Sequence, residues 1–246
     1  MKQYNRVCAR INLDAIAYNM EQMKKRIGQD GRLIAVIKTD AYGHGAVPLA
    51  EMFEETPYIW GYAVACMGEA RTLRAHGIKK PILILGCVFP DEYEEMVEKE
   101  IRAAVYTEEM AKGMAEAAVR SGKTAFLHIK IDTGMGRIGF KVDKESVETI
   151  SRISKLPNIK MEGMFTHFAK ADEFDKSYTF AQHEKFLWMK EQLEKVKQLW
   201  KGELLQEIND DATSFRYDLT PSQVRNVSDQ LSSAIHLMPF VLVINS

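Results

Sequence analysis

The most reactive candidate in the sequence is Lys38, which stands at the end of an apolar run in "AVIKTDAYGHG", residues 35–45. The neutral amine of a partly desolvated lysine attacks carbonyl carbons and forms a Schiff base, and the end of a buried strand offers such an environment. The glycines Gly43 and Gly45 let the backbone approach a ligand, and the Tyr42 hydroxyl could bind a phosphate or a carboxylate. The alternative is a solvated lysine at a strand end, followed by a glycine turn.

A second group of polar residues alternates with apolar residues in "AFLHIKID", residues 125–132. His128, Lys130 and Asp132 share one face of the predicted strand, and apolar side chains occupy the other face. Burial of polar side chains against covering helices costs free energy unless they form hydrogen bonds. We therefore expect this face to point into a barrel or toward its mouth, where the side chains need partners or a ligand.

Two further polar residues follow predicted strands, Arg137 in "TGMGRIGF" and His167 in "MFTHF". Each also has a purely structural interpretation: Arg137 could cap a glycine-rich turn, and His167 could be a hydrogen-bonded core residue. In the same way, Lys130 could be a charge inside a barrel that pairs with Asp132. The residues taken one at a time leave these alternatives open.

The elements that would position these residues are short apolar runs alternating with longer amphipathic segments. The strand-like runs are "RLIAVIK", "WGYAVAC", "PILILG", "IRAAVYT", "FLHIKID" and "IKMEGMFTHF". Such an alternation indicates a parallel sheet covered by helices, either an open doubly wound sheet or a closed β/α barrel. No GxGxxG follows the first strand, which weakens the dinucleotide-binding alternative. In barrels, sites lie at the carboxyl ends of the strands.

Two helices are predicted from apolar residues at helical spacing, and Asn12 or Asp14 could cap the first of them. The two apolar stripes are Ile16, Met20, Met23 and Ile27, and Phe186, Met189, Leu193, Val196 and Trp200. Residues 201–246 differ in character and read as a linker, an amphipathic helix that starts near Thr220, and the apolar run "FVLVI". We therefore divide the chain into a domain over residues 1–200 and an atypical tail over residues 201–246.

The composition of the 246-residue chain is that of a soluble globular protein, with 33 Lys and Arg against 34 Asp and Glu. This balance does not indicate a nucleic-acid partner. No apolar stretch approaches the ~20 residues that span a bilayer, and the first residues lack the apolar core of a signal peptide, so we expect a cytoplasmic protein. Cys8, Cys66 and Cys87 are widely spaced and predict neither disulfides nor a metal site; we expect reduced core thiols.

Four segments, in order, resemble those of the alanine racemase family, fold-type III enzymes that use pyridoxal 5′-phosphate (PLP). They are "RINLDAIAYNM", "AVIKTDAYGHG", "HIKIDTGMGRIGF" and "MFTHFAKAD". The resemblance covers about residues 6–197. It implies a (β/α)8 TIM-barrel type fold with parallel strands, incomplete here, in which about six family-like strands precede the atypical tail.

The resemblance also implies a role for each of five residues. Lys38 would hold PLP as a Schiff base and move the α-proton on one face, and Tyr42 would contact the cofactor phosphate. Arg137 would bind the substrate carboxylate and the phenolic oxygen of PLP, and His167 would lie beside the cofactor. Lys130 matches a lysine that is often carbamylated in the family, where the carbamate orients the arginine. Asp40 and His44 are expected to support the turn.

The function implied is the PLP-dependent racemisation of a small amino acid, L-alanine to D-alanine, a cell wall precursor, with serine as another substrate. The family is homodimeric, and the base on the opposite face is a tyrosine from a C-terminal β domain of the partner subunit. Neither that domain nor the last two barrel strands has a match after about residue 200. The alternatives are therefore a non-catalytic PLP carrier and an inactive truncated racemase.

Overall fold

The computed structural model describes residues 8–29, 31–204 and 241–245, in which six parallel strands form a curled half-barrel with helices on its outer side. The strands are β1 Gly31–Val36, β2 Ile59–Val64, β3 Ile82–Ile84, β4 Ile101–Val105, β5 Ala125–Lys130, β6 Ile159–Phe165 and β7 Val241–Asn245. The helices are α1 Leu13–Ile27, α2 Lys38–Gly43, α3 Ala46–Phe53, α4 Met67–Ala75, α5 Tyr93–Glu98, α6 Glu108–Ser121, α7 Lys144–Ile153 and α8 Ser177–Leu204, with a 3₁₀ turn at Pro90–Glu92.

The first six strands lie side by side in chain order, and each pairs in parallel with the next. A β/α barrel has this order, whereas a doubly wound sheet reverses direction at a switch point. The predicted barrel-type fold with six family-like strands is confirmed. All six carboxyl ends consequently point to the same end of the half-barrel.

The seventh strand pairs with β1 in the antiparallel direction, from Gly31 opposite Asn245 to Ala35 opposite Val241. In a closed barrel, the eighth strand would pair with the first in parallel. The apolar run near the end of the chain therefore covers the β1 edge by a different pairing. The helix predicted to start near Thr220 lies outside the described residues.

The core has two layers because successive side chains of a strand point to opposite faces. The larger layer lies between the sheet and the helices and includes Leu127 and Ile129 of β5. The smaller layer lines the inside of the half-barrel and is formed by Ile34, Val36, Ala63, Leu83, Ala104 and Phe165. His128 and Lys130 belong to the inner face, as predicted, and are buried there.

The first helix begins as predicted, since the Asn12 side chain accepts a hydrogen bond from the Ala15 N–H at 3.0 Å. Cys8, Cys66 and Cys87 are free thiols, as predicted, but all three are exposed, so the prediction that they lie in the core is wrong. Cys66, for example, lies in the short connection between the end of β2 and the start of α4. Among the described residues, no helix is both long and apolar enough to cross a membrane.

Candidate functional site

Four predicted residues meet at the carboxyl ends of the strands, and we call them the upper cluster: Lys38, Lys130, Arg137 and His167. Lys38 and His167 each lie two residues beyond a strand, Lys130 ends β5, and Arg137 lies in the loop that follows it. Burial lowers the pKa of His167, and the positive charges of Arg137, Lys130 and Lys38 lower it further. The imidazole therefore stays neutral at pH 7 and lies within the electrostatic range of all three cations.

The turn that carries Lys38, α2, is left-handed. Its four residues Thr39–Tyr42 all have φ between 52° and 56°, and none is a glycine. A left-handed conformation costs about 1–2 kcal/mol for each non-glycine residue, so it persists only where other contacts fix it. The sequence predicted a glycine turn, and Gly43 and Gly45 do have positive φ, but it gave no signal for the hand of the residues before them.

Asp40 and His44 stabilise this turn, in agreement with the supporting role predicted for them. The Asp40 carboxylate accepts a hydrogen bond at 2.7 Å from the N–H of Ala46, the first residue of α3. The backbone carbonyl of Asp40 accepts another from the Gly45 N–H at 2.9 Å. The ring Nδ1 of His44 lies 2.8 Å from the Ala41 carbonyl oxygen. These hydrogen bonds thus tie the turn to the start of α3.

Tyr42 lies next to the lysine, with the Lys38 Nζ 5.9 Å from the centre of its ring. The residue is 39% exposed and lies at the mouth of the half-barrel. Burial and the negative charge of Glu69 both raise the pKa of Tyr42. The phenol is therefore a hydrogen-bond donor at neutral pH.

Lys130 is almost completely buried, with 3% of its surface exposed. Its Nζ donates a hydrogen bond to the Ile131 carbonyl at 2.8 Å and lies 5.5 Å from the centre of the Phe165 ring. Burial lowers its pKa to about 8; the charge of Asp132 opposes this shift, and that of Arg137 adds to it. A substantial fraction of this amine is therefore neutral near pH 8.

The loop that carries Arg137 is folded around Asp132. One oxygen of the Asp132 carboxylate accepts hydrogen bonds from the N–H groups of Gly134 and Gly136, each at 3.0 Å. Gly139, at φ 138°, brings the loop back so closely that a Cβ there would overlap the Asp132 backbone. The Asp132 carboxylate, which was the alternative partner for Lys130, is thus hydrogen-bonded to the backbone of the arginine loop.

Gln182 of α8 joins the loops after β5 and β6, and sequence reasoning missed it. Its side-chain amide donates to the Thr133 hydroxyl at 3.1 Å and to the His167 carbonyl at 3.2 Å, and its carbonyl accepts from the Ala169 N–H at 2.9 Å. The residue is 1% exposed. Gln182 precedes the predicted stripe, which begins at Phe186, so no sequence pattern indicated it.

A second polar group, the lower cluster, lies inside the half-barrel toward the amino ends of the strands and consists of Arg102, His128 and Glu162. Arg102 donates to both carboxylate oxygens of Glu162, at 2.9 Å and 3.2 Å, and the His128 Nε2 lies 3.3 Å from the same carboxylate. Burial raises the pKa of Glu162, but hydrogen bonds from His128 and Arg102 outweigh this and lower it to about 2. Burial lowers the pKa of His128, which is therefore neutral and donates through Nε2.

The described residues contain no group of three or more His, Cys, Asp or Glu side chains that could hold a metal ion. The charges at the carboxyl ends of the strands instead suit an anion. Lys38, Lys130 and Arg137 are basic, and the nearby Asp132 carboxylate is bonded to backbone amides. Such a site can bind phosphate or carboxylate groups and offers a lysine for reaction with a carbonyl.

Comparison with known proteins identifies a matching family model and several relatives. A family model described as the N-terminal domain of alanine racemase matches residues 11–202. The alanine racemase of Clostridium tetani is 48% identical over 193 residues, which are 78% of this chain and 49% of that protein. The alanine racemase of Methanococcus maripaludis is 43% identical over 180 residues, 73% of this chain and 48% of that protein.

Solved structures agree. Alanine racemase of Clostridium difficile 630 in complex with cycloserine has a TM-score of 0.74 at 41% identity, over 76% of this chain and 51% of that chain. A histidine racemase of Leuconostoc mesenteroides has a TM-score of 0.64 at 31% identity, over 70% of this chain and 46% of that chain. The chain spans about half the length of the curated relatives that it matches. It belongs to the alanine racemase family, whose N-terminal domain it carries.

Proposed function

We propose that the half-barrel is the cofactor-binding part of a PLP-dependent amino-acid racemase that acts on a small amino acid, alanine first. The observation that carries the proposal is the upper cluster, in which Lys38 lies at a strand end and shares its surroundings with Lys130, Arg137 and a neutral His167. Alanine is the first candidate because the curated relatives reported above are alanine racemases. Because one structural relative is a histidine racemase, the range of substrate side chains has to be measured.

The residues present fit PLP. The cofactor carries a phosphate, a phenolic oxygen and an aldehyde, which call for cationic or donor groups and an amine. The protonated Tyr42 hydroxyl, in the same turn as Lys38, suits the phosphate, and Arg137 suits the phenolic oxygen and a substrate carboxylate. Lys38 would supply the amine that condenses with the aldehyde, whose oxygen would leave as water.

The chain's own residues would divide the reaction as follows. PLP, when bound, withdraws electrons from the substrate α-carbon and makes its proton acidic. Lys38 would remove or return that proton on one face, and Arg137 would hold the carboxylate. The neutral His167 would pack beside the ring without adding a charge that competes with Arg137.

Lys130 would act on Arg137. Its pKa of about 8 leaves part of the amine neutral, and the neutral form is the one that adds carbon dioxide. A carbamate on Lys130 would replace a positive charge near Arg137 by a negative one and so orient the guanidinium. Mass spectrometry of the intact protein in bicarbonate and in carbonate-free buffer tests this, since the carbamate adds a labile mass.

Inversion needs a second base on the opposite face. In the family this base is a tyrosine of the partner subunit, outside the part matched here, so turnover would require a homodimer with that part present. The alternative function is PLP binding without turnover, since the upper cluster supplies groups for the cofactor but not the base on the opposite face. We propose a cytoplasmic location for either function.

The test starts with the purified chain and PLP. A visible absorption band is expected, and borohydride reduction followed by peptide mass spectrometry should find the cofactor on Lys38. Lys38→Ala should lose both signals, while Lys170→Ala, which removes an exposed lysine paired with Glu173, should keep them. Label on other lysines alone would contradict the proposal.

Turnover is measured next, with L-alanine, L-serine and L-histidine as substrates and chiral chromatography as the readout. D-alanine formed by the wild type and absent with Lys38→Ala would support the racemase. Labelled Lys38 without any D-amino acid, over a range of protein concentrations that includes dimers, would instead support the PLP-binding alternative.

A further inference from the structure

The Glu69 carboxylate joins the turn that carries Lys38 to the neighbouring strand of the half-barrel. Glu69 lies in the first turn of α4, and one of its oxygens accepts a hydrogen bond from the Thr39 N–H at 2.7 Å. The other oxygen accepts one from the Ala65 N–H, also at 2.7 Å, directly after β2. A single side chain thus fixes the distance between the carboxyl ends of two adjacent strands.

The two hydrogen bonds need a carboxylate. Both partners, Thr39 and Ala65, are backbone donors, and each faces a different oxygen of the side chain. A glutamine of the same shape would have to turn its NH₂ group toward one of them, which places a donor against a donor. The contact therefore distinguishes Glu from Gln, although the two side chains have almost the same volume.

Helix capping explains only half of this geometry. The bond to Ala65 reaches back to the residues just before α4 and would be expected of a glutamate in a first helical turn. The bond to Thr39 leaves the helix and reaches a residue 30 positions away. Thr39 directly follows Lys38 and is the first of the four residues with left-handed φ.

The same carboxylate acts on Tyr42 through its charge. After burial, Glu69 is the second cause of the raised pKa of the Tyr42 phenol, so its negative charge is felt at the hydroxyl. Glu69 therefore contacts the start of the turn directly and influences its far end electrostatically. It touches neither the Lys38 amine nor the other three residues of the upper cluster through any hydrogen bond described.

We propose that Glu69 is a positioning residue, which holds the left-handed turn in the one conformation that aims Lys38 and Tyr42 at the cofactor. This proposal rests on the proposed function for its second half only. Because the turn is held in the free chain, the effect on its backbone can be measured without PLP. An affinity for PLP would then report the fraction of molecules in the competent conformation.

The matched control is Glu54, a carboxylate at the opposite end of the half-barrel. It also accepts two backbone hydrogen bonds, from the N–H groups of Lys79 and Lys80 at 2.7 Å and 2.9 Å. Both reach the same oxygen, so Glu54→Gln can keep them. The control changes a comparable bridging carboxylate without touching the Lys38 turn.

The first measurement is amide hydrogen exchange by NMR on the chain without PLP. In Glu69→Gln, the Thr39 N–H should exchange about tenfold faster than in the wild type, whereas Glu54→Gln should leave it unchanged. Thermal unfolding of both variants shows whether they are folded. If Glu69→Gln does not fold, Glu69→Ala removes the donor clash and is measured in the same way. An unchanged Thr39 exchange rate in a folded Glu69 variant would overturn the proposal.

The second measurement is PLP affinity from the visible band, with borohydride trapping on Lys38. Glu69→Gln should weaken PLP binding about tenfold, in step with its exchange rate, and Glu54→Gln should not. An affinity equal to that of the wild type would overturn the positioning role. Absence of PLP binding by the wild type would overturn the proposed function, while the exchange rates would still show whether Glu69 holds the turn.

Discussion

The upper and lower clusters lie in the same half-barrel but differ in whether their buried positive charges have a negatively charged partner. In the lower cluster, the buried Arg102 has a carboxylate partner, Glu162, which also accepts a hydrogen bond from His128. In the upper cluster, Lys130 is just as buried, yet its hydrogen bond goes to a backbone carbonyl and its neighbour Arg137 repels it. The lower cluster satisfies its own charges, whereas under the proposed function an anionic ligand would complete the upper cluster.

Removal of a charge should therefore have opposite effects in the two clusters. Loss of a partner from a satisfied pair leaves a buried charge uncompensated. Loss of a cation from a crowded positive site relieves repulsion and desolvation. Measurements of the free energy of unfolding, in the absence of cofactor, separate these cases.

The largest effect is expected in the lower cluster. Glu162→Gln leaves the Arg102 guanidinium, 8% exposed, without its counter-charge, and should lower the free energy of unfolding by about 3 kcal/mol. Urea denaturation at pH 7 measures it. Glu173→Gln, in an ion pair whose side chains are 50% exposed, serves as the control and should change little. A loss as small as that of the control would mean that the lower cluster is not the satisfied pair described.

Lys130→Met should instead stabilise the chain. The folded-state pKa of Lys130, about 8, lies below the ordinary value of 10.5, so burial of the charged form costs up to about 3 kcal/mol below pH 8. The penalty fades between pH 8 and 10.5, where the unfolded chain binds more protons, and is gone above that range. Denaturation of both proteins from pH 6 to 11, in carbonate-free buffer, should show a stabilisation at pH 7 that vanishes at high pH. A destabilised variant at pH 7 would contradict the comparison.

Gly139→Ala tests the loop of the upper cluster. The new Cβ would meet the Asp132 backbone, which cannot rotate away, and the position has a φ of 138°. We expect a loss of about 2 kcal/mol, together with weaker PLP binding as the arginine loop moves. Urea denaturation and cofactor titration measure the two effects. Loss of stability with unchanged PLP affinity would separate the loop from the site.

Gly163→Ala makes the corresponding change in the lower cluster and should have the smallest effect. Its Cβ would lie 2.8 Å from the Nδ1 of His128, a ring that can shift where a backbone cannot. The expected loss is about 1 kcal/mol, with PLP affinity unchanged. If Gly163→Ala lost more stability than Gly139→Ala in the same urea series, the His128 ring would be the more rigid neighbour and the Asp132 backbone the less rigid one.

Much of the candidate site was accessible from the sequence because it depends on local order. Lys38, Lys130, Arg137 and His167 follow or end strands that apolar runs mark, and in a parallel barrel all such ends share one face. The resemblance added roles that stay proposals. The wrong prediction, buried cysteines, came from residue type alone, whereas Cys66 lies in a strand-to-helix connection.

The sequence by itself determined a parallel α/β fold and the polar residues at its strand ends, since both follow from periodicity within short segments, and the resemblance of four motifs to the alanine racemase family selected the incomplete barrel. Only the tertiary structure decided the hand of the Lys38 turn, the bridge from Glu69, and the pairing of Arg102 with Glu162. The Glu69 bridge and the pairing of Arg102 with Glu162 join residues 30 and 60 positions apart, so no local pattern encodes them. The antiparallel pairing of β7 with β1 is of the same kind, because strand direction is fixed by where the chain returns and not by its apolar run.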